Sequence, residues 1–284
     1  MTTLHGTLLR LTAFSADPAG GNPAGVWIGP ALPDAPSMQR IASEVGYSET
    51  AFVAPAAGPA RTVRYFSPER EIPFCGHATV ATGVALGDTE GNGVYVFDTP
   101  VGRVPVHVTD APGGRRAALT SVEPRTERVQ PELLAESLRL LGWTHGELDP
   151  ALPPVLAYAG AWHLVIAVAR RERLGALRYD FEVLRTLMLE QDLTTLQLVW
   201  REREDLFHAR NPFPIGGVVE DPATGAAAAA LGGYLRSLDE AAPRETTPRR
   251  FRVRQGEDMG RPSDIFVEVP ARGGIVVSGT AVRL

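Results

Sequence analysis

Apolar positions along this chain recur at two periods, and the places where one gives way to the other mark out its elements. Leu8 to Phe14, Gly25 to Ile28, Thr62 to Phe66, Val94 to Phe97 and Arg103 to Val108 read as strands. So does the stretch entered by Ser48-Glu49-Thr50-Ala51-Phe52-Val53. Pro36 to Val45 carries Met38, Ile41, Ala42 and Val45 at helical spacing, with Pro36 suited to a first turn and Gly46 to a stop. A loop near Asp110–Arg115 and the stretch Glu123-Pro124-Arg125-Thr126-Glu127 form the expected domain boundary. Beyond it, Pro131 to Leu141 is an amphipathic helix, with Leu133, Leu134, Leu138 and Leu141 on one side. Val155–Tyr158 and His163–Val168 read as strands, Phe181–Gln191 as a helix, and Leu196–Trp200 and Leu206–Ala209 as strands. Arg250–Arg254, Ile265–Val269 and Ile275–Arg283 complete the set.

Two stretches fit neither amphipathic pattern. In Glu71-Ile72-Pro73-Phe74-Cys75-Gly76-His77-Ala78-Thr79-Val80-Ala81-Thr82-Gly83 a turn delivers a helix of small and apolar residues, fit for burial on every side. Glu220-Asp221-Pro222-Ala223-Thr224-Gly225-Ala226-Ala227 opens a similar run through Leu235. At a constant offset of 149 residues the two share Glu71/Glu220, Pro73/Pro222, Gly76/Gly225 and Gly83/Gly232, besides cheaper alanine and leucine matches. The offset is close to half the chain, as duplication of a domain produces. The reading is an α+β protein of two similar halves, each with mixed sheet wrapped around a central helix.

Composition narrows the function. At 284 residues the chain holds two domains of ordinary size, and a net charge of −5 excludes a basic nucleic-acid surface. No leader peptide is visible at Met1 to Phe14, and the longest apolar run, Leu156 to Ala169, contains His163 and is too short for a membrane span. One cysteine fits a reducing cytoplasm. All 28 Lys+Arg positions are arginine, which excludes Schiff-base chemistry, pyridoxal phosphate attachment and a Walker P-loop within the chain. The six histidines show no pair at ligand spacing, so neither a metal nor another cofactor is expected.

Glu49 is the candidate general acid/base. At the mouth of a strand, among small and apolar neighbours, a carboxylate loses solvation and its pKa rises toward neutrality; the plainer alternative is a surface glutamate at a strand end. Gly76 lets a ligand approach a helix N-terminus, where unpaired N–H groups and the dipole favour an anion. His77 beside it either donates to such an anion or touches only solvent. Cys75 is either an inert buried thiol or a thiolate stabilised by the helix. Asp221 either forms the turn or binds an amino or hydroxyl group, and Asn22 in Gly-Gly-Asn-Pro is most simply a turn residue.

Five stretches resemble the PhzF-like (phenazine-biosynthesis) isomerase family. They are Phe14-Ser15-Ala16-Asp17 leading to Gly20-Gly21-Asn22-Pro23, then Ser48 to Phe52, Pro73 to Thr79, Glu220 to Gly225, and Gln255-Gly256 with Gly260-Arg261-Pro262-Ser263. They come in family order and span nearly the whole chain. The resemblance implies a fold similar to diaminopimelate epimerase and proline racemase: two pseudo-symmetric halves, residues 1–120 and 125–272, around a cleft, with the last strand, about 273–284, returning to the first half. It implies that Glu49 shuttles the proton, that Asn22, Cys75, Gly76, His77, Asp221, Gly225 and Ala226 contact the substrate, and that the protein is a homodimer. Two departures stand out. Ala226 replaces the serine that follows the second turn in the family's isomerase of phenazine biosynthesis, which puts that substrate in doubt. Cys75 has no counterpart in the second turn, which rules out a two-thiol racemase. The expected function is a cytoplasmic, cofactor-independent isomerase shifting a proton on a small carboxylate-bearing substrate, possibly cyclic. The alternative is a small-molecule-binding protein on the same fold without turnover.

Overall fold

Strands that are apolar at consecutive positions have both faces covered, and two kinds of helix do the covering here. A computed structural model of the chain describes residues 5–56, 59–241 and 248–284. The chain divides into two compact units, one formed by the residues up to Thr120 with Ser278–Leu284, the other by Ser121–Val277.

The first unit runs β1 (Thr7–Ala13), β2 (Asn22–Ile28), α1 (Ala35–Val45), β3 (Glu49–Pro55), β4 (Ala60–Phe66), β5 (Glu71–Ile72), α2 (Gly76–Glu90), β6 (Gly93–Thr99), β7 (Gly102–Ala111) and β8 (Gly114–Thr120). Strands β1-β2-β3-β4-β6-β7-β8 are neighbours in that order, and β18 (Val276–Arg283) pairs with both β8 and β1, closing a barrel. Helix α2 fills it. All of His77 to Gly87 is buried, and a Cβ on Gly83 would stand 2.7 Å from Val106 Cγ1 and 2.9 Å from Ala117 Cβ. Small residues are what let the helix lie this close to β7 and β8. Outside the barrel, α1 lays Met38 and Ala42 on Trp27, Phe52 and Phe66, so Ala51-Phe52-Val53 is buried on both faces. Asp34 caps α1 through the Ser37 N–H at 2.8 Å, and Gly46 ends it with φ 71°. The barrel seam is pinned at Phe14, a buried side chain on a left-handed backbone (φ 64°), whose N–H donates to the Thr280 carbonyl at 2.7 Å.

The second unit runs β9 (Arg125–Arg128), α3 (Pro131–Leu141), β10 (Val155–Tyr158), β11 (Trp162–Val168), α4 (Arg171–Gly175), α5 (Phe181–Glu190), β12 (Thr195–Arg203), β13 (Leu206–Arg210), β14 (Pro212–Phe213), β15 (Val218–Glu220), α6 (Gly225–Ala241), β16 (Arg249–Gln255) and β17 (Ser263–Val269). Its main sheet has the order β9-β10-β11-β12-β13-β16-β17. Leu164, Ile166, Val168, Leu196 and Leu198 face α3, α4 and α5, through Leu133, Leu138, Leu174, Leu184 and Met188. Helix α6 packs on β9, β10, β11 and β17. Gly232 does there what Gly83 does in α2: a Cβ would meet Ile275 Cγ2 at 2.9 Å. The apolar run from Leu156 to Ala169 is thus β10, its turn and β11, and no helix among the described residues is long and apolar enough to cross a membrane.

Three expectations change. The loop expected near Asp110–Arg115 is the tight turn between β7 and β8, while the expected boundary stretch at Glu123–Glu127 lies just past the division between the two units and leads into β9. Asn22 opens a strand instead of forming the turn, and the second small-residue helix runs past Leu235 to Ala241. The repeated glutamates also gain a reason. Glu71 is held by Arg64 of β4 (2.7 Å to Nε), and Glu220 by Arg210 of β13 (2.9 Å to Nε), each pinning the chain just before a helix-starting turn.

Candidate active site

Three N-terminal ends converge in the first unit: those of the parallel strands β2 and β3 and of the helix α2. Asn22 opens β2 and Glu49 opens β3, with Ala24 and Glu49 in register; Cys75 is the N-cap of α2, and His77 lies in its first turn. His77 Nε2 stands 3.2 Å from Glu49 Oε2 and 3.8 Å from Cys75 Sγ, and its Nδ1 stands 3.2 Å from Asn22 Nδ2. The Ser48 hydroxyl reaches Nε2 at 3.5 Å. His77 is therefore buried against these groups and does not merely face solvent.

No side chain caps α2, so the Cys75 thiol turns to Glu49 and His77 instead of to the helix N–H groups. What fixes the turn is a relay from the core. The buried Tyr65 hydroxyl donates to Thr79 Oγ1 at 2.6 Å, and Thr79 Oγ1 donates to the Cys75 carbonyl at 2.7 Å. Burial raises the Tyr65 pKa, which keeps the phenol a donor. Gly76 is partly exposed, and a Cβ there would meet no atom within 4 Å.

Burial pushes the Glu49 carboxyl above its ordinary value, against the Ser48 and Cys75 hydrogen bonds that pull it down. A carboxylate so placed exchanges protons closer to neutrality than a surface glutamate. The same shift couples to stability. The folded protein holds this proton more tightly than the unfolded chain, so stability falls as pH rises from 4.5 through the raised folded value. Glu49→Gln removes the titration. Its melting temperature is expected to gain on the parent's more at neutral pH than well below the ordinary glutamate value, measured by calorimetry across the pH range; an equal difference at all pH values contradicts the shift.

In the second unit the corresponding turn is clasped by one glutamine. Gln255 Nε2 donates to the Asp221 carbonyl at 2.6 Å, and Gln255 Oε1 accepts from the Thr224 N–H at 3.2 Å. The Thr224 hydroxyl donates to Asp221 Oδ2 at 2.7 Å, and the Asn211 carbonyl accepts the Asp221 N–H at 3.0 Å. Gly225 is buried and Ala226 partly exposed at the start of α6. The structure thus gathers Asn22, Glu49, Cys75, Gly76 and His77 in one unit, and Asp221, Gly225 and Ala226 in the other. Ser48, Thr79 and Gln255 lie within recognised motifs, but nothing local marks them as partners of the site. Tyr65 carries no signal at all, since a strand tyrosine reads as core.

A model of the family described as phenazine biosynthesis-like protein matches residues 11–284. An uncharacterised isomerase from Mesorhizobium japonicum is 32% identical, with 97% of this chain and 96% of the relative covered. The trans-2,3-dihydro-3-hydroxyanthranilate isomerase of Pseudomonas fluorescens is 30% identical, with 96% and 95% covered. The crystal structure of the Bacillus anthracis phenazine biosynthesis protein of the PhzF family is similar with a TM-score of 0.87 at 25% identity, covering 98% of this chain and 96% of that one.

Proposed function

The chain belongs to the phenazine biosynthesis-like protein family and is an isomerase, and we propose that it moves a proton within a small carboxylate-bearing substrate, Glu49 both taking and returning it. The observation that carries this reading is the placement of Glu49, partly exposed at the mouth of β3, 3.2 Å from His77 Nε2 and hydrogen-bonded by Ser48 and Cys75, where desolvation raises its carboxyl above the ordinary value. Removing a proton next to a conjugated carboxylate needs a base, and returning it elsewhere on the same molecule needs an acid. One carboxyl group with a pKa lifted toward the working pH does both in turn. The uncapped N-terminus of α2 supplies positive potential and N–H groups for the negative charge that develops on the substrate. Asn22, Cys75, Gly76 and His77 bind around the reacting carbon, and Asp221, Gly225 and Ala226 keep the substrate-binding role that the family motif implies. No cofactor takes part in this scheme.

The Pseudomonas relative acts on trans-2,3-dihydro-3-hydroxyanthranilate. Ala226 stands where a serine hydroxyl is expected, so the proposed substrate here is a cyclic carboxylate that does not need that contact. Candidate cyclic and amino acids incubated with the protein in heavy water test the reading. Deuterium enters the true substrate at the isomerised carbon, and no incorporation across the set counts against proton transfer. The proposal includes a cytoplasmic homodimer, checked by light scattering on the purified protein.

Gly76→Ala probes the approach to α2 directly. The added methyl group meets no protein atom within 4 Å, so stability is expected to stay within ~0.5 kcal/mol. Standing before the helix N–H groups, it is expected to raise KM by about 10-fold, the loss of one charge-assisted hydrogen bond. Unchanged KM places the substrate elsewhere.

A further inference from the structure

We propose that Glu49, Cys75 and His77 form a binding site for one zinc-class divalent cation, and that occupying it switches the isomerase off. The metal site rests on geometry alone; its inhibitory effect rests on Glu49 being the acid/base.

A tetrahedral zinc ion bonds nitrogen and oxygen at about 2.0–2.1 Å and thiolate sulfur at about 2.3 Å, which sets neighbouring N and O ligands roughly 3.3 Å apart and N and S roughly 3.6 Å apart. His77 Nε2 already lies 3.2 Å from Glu49 Oε2 and 3.8 Å from Cys75 Sγ. The Glu49 edge is thus already of the required size, whereas Sγ lies closer to Nδ1, at 3.3 Å, so the thiol must swing about its Cα–Cβ bond toward Nε2 to join it. Ligand atoms of all three residues fall within 4.8 Å of one another, so a cation is bound by small side-chain shifts with the backbone in place. Binding through Nε2 requires the tautomer with the proton on Nδ1. With Nε2 on the metal, Nδ1 faces the Asn22 side-chain amide at 3.2 Å, whose oxygen accepts the Nδ1 proton once the amide is turned.

The donor set selects the ion. A thiolate, an imidazole and a single carboxylate favour zinc, cobalt or cadmium over magnesium or calcium, which prefer all-oxygen ligands. Three protein ligands leave a fourth position for water or a substrate carboxylate. The positive end of α2 opposes a cation only weakly against two anionic ligands. Binding releases the thiol proton, and the lone pair with which Glu49 would take a substrate proton is committed to the metal. No local spacing announces this site. Cys75 and His77 are neighbours, while Glu49 arrives from another strand.

Cobalt(II) titrated into the chelator-treated protein tests the site without reference to activity. The expected result is a near-ultraviolet thiolate-to-cobalt band that saturates at one equivalent and is displaced by zinc. Cys75→Ser abolishes the band. His77→Asn and Glu49→Gln each weaken binding by about 10-fold or more; Glu49 is partly exposed at a strand end, and circular dichroism verifies that both variants fold. One equivalent of zinc is then expected to stop deuterium exchange into substrate, and chelator to restore it. Absence of the band, or a band indifferent to both His77→Asn and Glu49→Gln, overturns the site. A ligand-dependent band in a protein whose metal-free form exchanges no deuterium upholds the site and removes the acid/base reading. Exchange that continues with the site saturated overturns the switch.

Discussion

Glu49→Gln is expected to lower kcat by about 100-fold or more while leaving the protein folded. Glutamine keeps the size of the side chain and most of its hydrogen bonding, but it carries no exchangeable acid proton. The neighbours cannot replace it. His77 Nε2 is within 3.2 Å of the carboxylate, yet it is held among Asn22, Ser48 and Cys75 as a positioning group. Cys75→Ser, which keeps a small hydrogen-bonding side chain at the N-cap of α2, is expected to lose far less. Measuring kcat and deuterium exchange for both variants on one substrate separates the two roles. Full activity in Glu49→Gln, or a loss confined to Cys75→Ser, transfers the chemistry to the thiol.

Gly256→Ala is expected to be the costlier change for stability, by about 3 kcal/mol in urea unfolding. Gly256 has φ 78°, and a Cβ there would stand 2.2 Å from the Arg261 carbonyl oxygen and 2.9 Å from the Pro222 carbonyl oxygen. Neither contact relaxes by rotating a side chain, because both partners are backbone. The residue adjoins Gln255, which clasps the Asp221–Thr224 turn, so a shift here also loosens the second set of proposed substrate contacts and is expected to raise KM. Gly260→Ala is the control: its φ of 76° is the same conformation with no atom within 4 Å. It should cost only about 1–2 kcal/mol, the left-handed penalty alone. Equal costs for the two variants would mean that the close approach to Pro222 and Arg261 does not matter.

The secondary structure was legible wherever burial imposes a pattern. The strands that became β2, β3, β11 and β12 read as largely apolar runs, and α1 and α3 show one-sided stripes, with the stop of α1 at Gly46 as expected. The two central helices lack a stripe, since they are enclosed, and only their repetition made them stand out. The missed strands have physical reasons. Every residue of β9, Arg125–Arg128, is exposed, and the strand is held to β10 through its backbone, so side-chain alternation has nothing to report. In β8 the turn residues Gly113 and Gly114 and the pair Arg115–Arg116 hide the strand behind loop-like composition, although Arg115 is tied to Asp88 of α2. Among site residues, Glu49 was chosen for its place at a strand mouth. That Asn22 and His77 join it depends on which strands run parallel beside α2, a long-range property that local sequence does not encode.

The barrel of the first unit is closed by β18, which lies beyond the whole of the second unit in the chain. During translation the order of completion is therefore inverted. Ser121–Val277 is one uninterrupted segment, available to fold once it clears the ribosome, whereas the earlier-made first unit waits with the edges of β1 and β8 open until the last strand emerges. Those edges are templates for pairing with other chains in the interval. The barrel around the helix that presents Cys75 and His77 closes only after the final strand seats beside Phe14, so a nascent chain halted before Val276 carries Glu49, Cys75 and His77 without a closed barrel around α2.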